Sequence, residues 1–457
     1  MSSLENVLVD TANFLWSYIL YLLVGGGAFL LFFSRFKPFR YLKHAVDILR
    51  GRYDDPDQPG DITHFQALVS ALSATVGVGN ISGVAVSITI GGPGAIFWMW
   101  VTAFFGIATK FFSCTLAVMY RGKDSLGQLQ GGPMYVIEQA MSPRFRPLAY
   151  VFAIAGAIGC LPLLNPNQLV QAVRDILFVP NGWVGEDHFW FDFTAGIILA
   201  GLSATVILGG ITRIAEVASR VVPAMVVVYM LCALWIILAN WEQVPFYVAL
   251  IFSDAFTGDA VVGGAVGTVI ATGIRRAAFS NEAGLGTAPL AHGAAKTGEP
   301  IREGFVAMTG PVIDTMVVCT CTAMVILMTG VWQTTSDNGV TLTANAFTSA
   351  MPGFGSYVLL LCVAGFSVTS LFTYSYYGAK CLAFLVGAEH QQKYNYFYVA
   401  FIVVASVSSI DAVISFADGF FAIMAIPTMV STLVLAPRVM RALRDYEKRY
   451  PDLGARP

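Results

Sequence analysis

Charged residues are scarce in this chain. Asp, Glu, Lys and Arg make up only 12% of its 457 residues, while 56% are hydrophobic. An ordinary soluble domain carries about 25% charged side chains, and a chain of this size needs polar groups to cover a surface in water. The shortage excludes a water-soluble globular protein and leaves a surface that faces lipid. An excess of one sign is lacking too: the net charge is −2, so no overall field points to nucleic acid. The seven cysteines (Cys114, Cys160, Cys232, Cys319, Cys321, Cys362, Cys381) sit in apolar stretches without CxxC spacing, which reads as buried, inert thiols. HExxH, GxSxG and Walker patterns are absent, and no nucleophile–base or metal-ligand cluster emerges. Neither an enzyme nor a resident cofactor is expected. No Lys or Arg precedes Arg35, so the N-terminus lacks the basic start of a signal peptide.

Long apolar runs are what the chain has instead. Phe14 to Phe33 carries no charge and is long enough to span a hydrocarbon core as a helix. Further spans are predicted at 64–90, 94–120, 145–177, 193–211, 217–240, 260–294, 305–332, 354–386, 395–410 and 412–437, after a first at 12–34. The expectation is an all-α membrane protein of about eleven helices. Tracing it with the N-terminus outside places every Lys and Arg except Lys110 and Arg174 in inward loops, at inward helix ends or in the C-terminal tail, Arg275 and Arg276 included. That bias predicts an inner-membrane protein with a cytoplasmic C-terminus. Lys110 is read as snorkelling from the inner end of its helix, and 341–350 as an amphipathic stretch along the surface.

Two spans are interrupted by glycine and polar residues. One reads SATVGVGNISG (73–83), the other FSNEAGLGTAP (279–289). With the N-terminal helix set aside, they are helices one and six of a ten-helix core. Five helices per half is odd, so the halves have opposite topology, the signature of an inverted repeat with discontinuous helices. The predicted organisation is an N-terminal helix and basic loop (1–62), a core (63–437) of two repeats (63–243 and 259–437), and a tail (438–457). Unwound backbone at the midplane is tolerated where it lines a polar cavity. It offers amides at half-helix N-termini to an anion and carbonyls to a hard cation, and glycine lets the backbone approach a ligand.

At these motifs the sequence resembles the alanine or glycine:cation symporter family. The resemblance runs through TVGVGNISGVAVSITIGGPGAIFWMW (75–100), ATKFFSCTLAVMYRG (108–122), GGPMYVIEQAM (131–141), ILGGITRIAEV (207–217), FSNEAGLGTAPLAHGAAKTGEPIREG (279–304) and SYYGAKC (375–381). It implies the leucine-transporter-like five-plus-five fold and sodium-driven uptake of alanine or glycine, with sodium as the coupling ion. Thr75, Gly77, Val78 and Gly79 are then expected at the substrate, where amides at Val78 and Gly79 would take the carboxylate. The carboxylate role of these amides comes from a second, local similarity, that of Val76-Gly77-Val78-Gly79-Asn80 to the unwound first helix of neurotransmitter:sodium symporters, in which the Asn matching Asn80 helps bind one sodium ion. A second sodium position would draw on Ser73 and Val76 with Thr369 and Ser370, although Ser and Thr also bond back to their own helices. Gln168, with Gln171 second, is the expected polar side chain of the third core helix. Phe279 and Tyr374 are expected to close the side-chain end of the pocket, and Asn281 to serve the substrate or the break. Glu282, an acid in an apolar run, either supports the break or meets the ion. The chain departs from the family at Ser113, where an acid is usual, at Leu164-Asn165-Pro166-Asn167-Gln168, where Gly-Asn-x-x-Gln is usual, and at Tyr374, where Trp is common. Proton coupling through Glu282 or His292 is the alternative to sodium.

Overall fold

The computed structural model describes residues 3–185, 187–257 and 266–451. Its architecture is all-helical apart from one short hairpin, Gly122–Lys123 with Leu129–Gln130. Among the described residues nine helices are long and apolar enough to cross a membrane. Two more, Val266–Asn281 and Gln391–Ser406, are shorter. The expected starts at 259 and 260 and the end of the tail (452–457) lie outside the described residues.

Each predicted span meets a helix, and the differences have local causes. The first broken helix starts where Thr63 accepts from the Gln66 amide while Gln66 Oε1 accepts from the Thr63 amide, a reciprocal cap. It runs as His64–Thr75 and Val78–Gly91. The third core helix is also interrupted: Arg146–Gly159 ends before Leu164–Val173 begins. The tenth continues past 437 to Arg449, because Leu443 and Tyr446 still have a buried face to fill. The basic loop after the N-terminal helix (Ser3–Phe33) contains two short helices, Lys37–Arg40 and Leu42–Leu49. They bolt onto the end of the tenth core helix through Lys37–Glu447 (2.6 Å) and His44–Tyr446 (2.7 Å). Burial, reinforced by Arg302, pushes His44 down to about 4.

Burial separates an inner bundle from a lipid-facing shell. The first broken helix and core helix two (Gly94–Met119) are 89% and 83% buried, whereas core helix five (Gly210–Ala239) is only 22% buried. Its Leu231, Trp235 and Leu238 are exposed, as are Phe14, Tyr18 and Tyr21 of the N-terminal helix. An apolar outer band of this kind needs lipid around it. The Gly339–Ala350 helix departs from expectation. Val340, Leu342, Ala346 and Phe347 are buried and only its C-terminal end is exposed, so it plugs the bundle and does not lie along the surface. Gln168 fastens it, accepting from the Ser82 hydroxyl (2.8 Å) and the Val340 amide (3.4 Å).

Candidate functional site

The two breaks face each other across a small cavity of ≈ 30 Å³, lined by Thr75, Gly79, Asn165, Phe279, Tyr374 and Phe421 among others. A water needs about 10–15 Å³ by this measure, so the space is tight. Gly79 borders it with nothing within 4 Å of where a Cβ would stand. The Val78 and Gly79 amides belong to the first turn of Val78–Gly91, whose N–H groups have no partner one turn back. Val76 and Gly77 carry the unwound link; Gly77 donates its amide to Asn80 Oδ1 at 3.0 Å.

The aromatic wall is continuous. Phe279 packs on Phe421 with centroids 5.2 Å apart, and Phe421 stacks on Tyr374 at 6.3 Å. Arg276 lies 5.6 Å over the Phe279 ring and bonds Asp418 at 2.8 Å; Arg275 holds the same carboxylate. Tyr374 donates to Glu282, which also accepts from Thr287 at 2.5 Å. Glu282 itself is left-handed, with φ +53°. The link continues through Gly284 and Gly286 at φ +88° and +98°, where a side chain would meet Met429 or Phe152. Backbone held in this region persists only where its surroundings impose it.

Beside the cavity are two oxygen-rich clusters. In one, Ser370 donates to the Ser73 carbonyl at 2.6 Å, and the Ser73 and Thr373 hydroxyls are 2.5 Å apart. Thr369 instead bonds back to Gly365 and Phe366 of its own helix, at 2.9 and 3.1 Å. In the other, Asp314 accepts from Asn80 Nδ2 (2.7 Å), Ser280 (2.5 Å) and Thr315 (2.9 Å). Asn281 sits next to it, donating to Thr315 at 3.1 Å and accepting the Ala283 amide at 3.0 Å.

Of the residues singled out from sequence, Thr75, Gly79, Phe279 and Tyr374 meet in the cavity lining. Gln168 and Asn281 are buried outside it. Asn165, Phe421, Asp314 and Asp418 were not singled out. Asp314 and Asp418 carried the same signal as Glu282, an acid within an apolar run; Phe421 carried none. Two charge assignments need correction. Lys110 does not snorkel: it is 2% exposed and stands beside Gly310, because its helix is central and its end is covered. Arg275 and Arg276 do not lie at the basic end. Arg275 reaches Asn13, near the start of the N-terminal helix, at 2.8 Å, and both arginines line a vestibule with Gln171, Asp175 and Asp337. They precede the break, on Val266–Asn281, the N-terminal segment of the broken helix.

The fold is shared with MhsT, whose crystal structure holds L-phenylalanine: the TM-score is 0.59 at 12% identity, over 84% of this chain and 98% of that one. The sodium/alanine symporter AgcS of Methanococcus maripaludis is 39% identical over 96% of this chain and 97% of its own length. The amino-acid carrier protein AlsT of Bacillus subtilis is 31% identical over 98% of this chain and 94% of its own. With the sodium:alanine symporter model matching residues 1–455, the chain belongs to the sodium:alanine symporter family and is a sodium-coupled amino-acid symporter, not an enzyme.

Proposed function

We propose that the protein carries alanine or glycine into the cell with sodium by alternating access, through eleven membrane crossings arranged as one N-terminal helix and a five-plus-five inverted repeat. The N-terminus is outside and the C-terminus cytoplasmic. The observation that carries this reading is a small cavity at two helix breaks with a larger vestibule on either side. One vestibule, ≈ 510 Å³, is the outer one and is lined by Asn13, Arg275, Arg276 and Asp337. The other, ≈ 220 Å³, is the inner one and is lined by Asp61, Tyr376 and Lys380. Phe279, with Arg276 and Asp418 above it, separates the cavity from the outer vestibule. A gate of this kind exposes the cavity to one side at a time.

The free amides at Val78 and Gly79 take the substrate carboxylate. The aromatic wall excludes long side chains, and the small volume of the cavity favours alanine or glycine, as does AgcS, described as a sodium/alanine symporter. One sodium lies at the Ser73 and Val76 carbonyls with Ser370 and, after its hydroxyl turns from its own helix, Thr369. A second lies at Asp314, where Asn80, Ser280 and Thr315 supply further oxygens; hard oxygen donors suit this ion.

Charge supports the second position. Among the described residues Asp418 is matched by Arg275 and Arg276, and Glu303 by His64 and His292. Glu282 and Asp314 form no ion pair among the described residues and meet only hydroxyls and the Asn80 amide; a buried carboxylate in a membrane protein is expensive, and a cation at Asp314 would offset that cost. Labelled-alanine uptake into proteoliposomes, with sodium and pH gradients imposed separately, tests the function. Uptake driven by a proton gradient without sodium would reject it.

A further inference from the structure

The inner ends of the two broken helices are joined by a shared carboxylate on Pro300–Ala307, a backbone bridge and an arginine fork. His64 opens the first inner half-helix, His64–Thr75, and His292 closes the second, Ala288–His292. Both imidazoles meet one carboxylate, Glu303: His64 Nδ1 at Oε2 and His292 Nδ1 at Oε1, the latter at 2.5 Å. All three side chains are buried to within 1%. The backbones are joined as well. Ile62 and Ala295 form a parallel bridge, with the Lys296 amide on the Ile62 carbonyl at 2.7 Å and the Asp61 amide on the Ala294 carbonyl at 2.8 Å. Arg121, at the end of core helix two, donates to the carbonyls of Gly293 (2.8 Å), Thr297 and Pro59 (both 3.1 Å), as well as Ala295.

Against core helix eight (Gly355–Val386) the same half-helices make a different kind of contact. Ser370 reaches the Ser73 carbonyl, Thr373 the Ser73 hydroxyl and Lys380 the Leu290 carbonyl at 3.1 Å. Two of these three run through the first sodium position, so its occupancy alters them. The carboxylate clamp, the bridge and the arginine fork contain no proposed substrate or ion ligand.

We propose that Glu303 is a positioning residue that welds the inner halves of both broken helices into one body, and that this body moves as a unit against core helix eight when the cavity opens inward. The inference rests on the alternating-access reading above. Swinging His64–Thr75 away by itself would strip a buried carboxylate of a donor and break the bridge; moving the body whole breaks neither and gives up instead the three hydrogen bonds to core helix eight.

The test is a covalent staple. Bridge partners lie within disulfide reach, so Ile62→Cys with Ala295→Cys is reconstituted and labelled-alanine uptake is measured after oxidation and again after reduction, with the parent protein treated alike. A short bifunctional thiol cross-linker serves if the disulfide is incomplete. Uptake by the parent and by the reduced variant first establishes the transport reading. Uptake retained in the oxidised variant supports a single body; loss on oxidation with recovery on reduction overturns it. Glu303→Gln supplies the second arm. Its maximal uptake rate should fall by at least about tenfold, in keeping with a broken buried pair, while alanine binding is kept. Oxidising the same cysteine pair in Glu303→Gln should restore the rate. An undiminished rate in Glu303→Gln, or no recovery on stapling, removes the positioning role from Glu303.

Discussion

Phe279→Ala probes how the cavity measures its substrate. The ring packs on Phe421 at 5.2 Å and carries Arg276 at 5.6 Å. Such an aromatic pair is worth about 0.5–1.5 kcal/mol and a cation–π contact about 0.5–2 kcal/mol. Losing both loosens the wall by about 1–3.5 kcal/mol, and apparent alanine affinity should fall by about 5- to 300-fold. The vacated space admits larger side chains. A methylene in an apolar pocket is worth about 1–3 kcal/mol, and valine exceeds alanine by two carbons that the native wall rejects. The alanine-to-valine ratio of transport efficiency should therefore drop by at least about tenfold. The assay is competition of labelled-alanine uptake by glycine, alanine, serine, valine and leucine. An unchanged competition order, with the variant present in the membrane at normal level, would refute the assignment of the wall to selectivity.

Other perturbations address other parts of the site. Replacing sodium by choline at constant pH should abolish uptake. Ser370→Ala should weaken apparent sodium affinity more than Thr369→Ala, since only Ser370 already points at the Ser73 carbonyl; a sodium titration in which the two are equal would contradict this. Gly79→Val fills the open space beside the cavity and should abolish alanine binding, read by calorimetry on purified protein, without preventing membrane insertion. Asp418→Ala leaves two guanidiniums without their carboxylate and should cost about 3–5 kcal/mol in stability, visible as a lower unfolding temperature. His44 is held below its ordinary 6.5, at about 4, by burial and Arg302. The folded state thus binds fewer protons than the unfolded one between these values, and stability falls as pH drops through that window. His44→Gln should show a shallower fall in a thermal-shift series over the same range.

Much of the fold was legible because breaking a helix in lipid leaves a local record. Val76-Gly77-Val78-Gly79-Asn80 and Glu282-Ala283-Gly284-Leu285-Gly286 announce their breaks by composition, and the backbone obliges at both: Gly284 and Gly286 are left-handed against packed neighbours. The third interruption, between Gly159 and Leu164, is marked only by Pro162 and Pro166, and proline alone bends a helix as readily as it ends one. Phe421 could not be found at all. It is one apolar residue in an apolar helix, and its role comes from which rings it meets across the bundle.

Charge was the least legible feature, for a physical reason. The rule that places basic residues on the cytoplasmic side concerns loops and helix ends, where each cation is solvated by itself. Within a bundle a cation is placed by its partner. Arg275 and Arg276 read as two more inward charges until the tenth core helix supplies Asp418, which holds them at the end of the molecule that bears Asn13. Lys110 read as a snorkelling side chain because its helix looked like any other span, yet every residue from 106 to 118 is buried, so there is no lipid face there along which a long side chain could escape. Glu282 and Asp314, by contrast, meet only hydroxyls and the Asn80 amide. A sequence lists the buried ionisable groups, but which of them pair is settled only by the packing. A sodium ion at the proposed Asp314 position would lie beside Asn80, whose side-chain oxygen already holds the Gly77 amide of the first break. It would then act on the same link whose next amides are proposed to receive the carboxylate, and such a shared backbone would let sodium and substrate favour each other's binding.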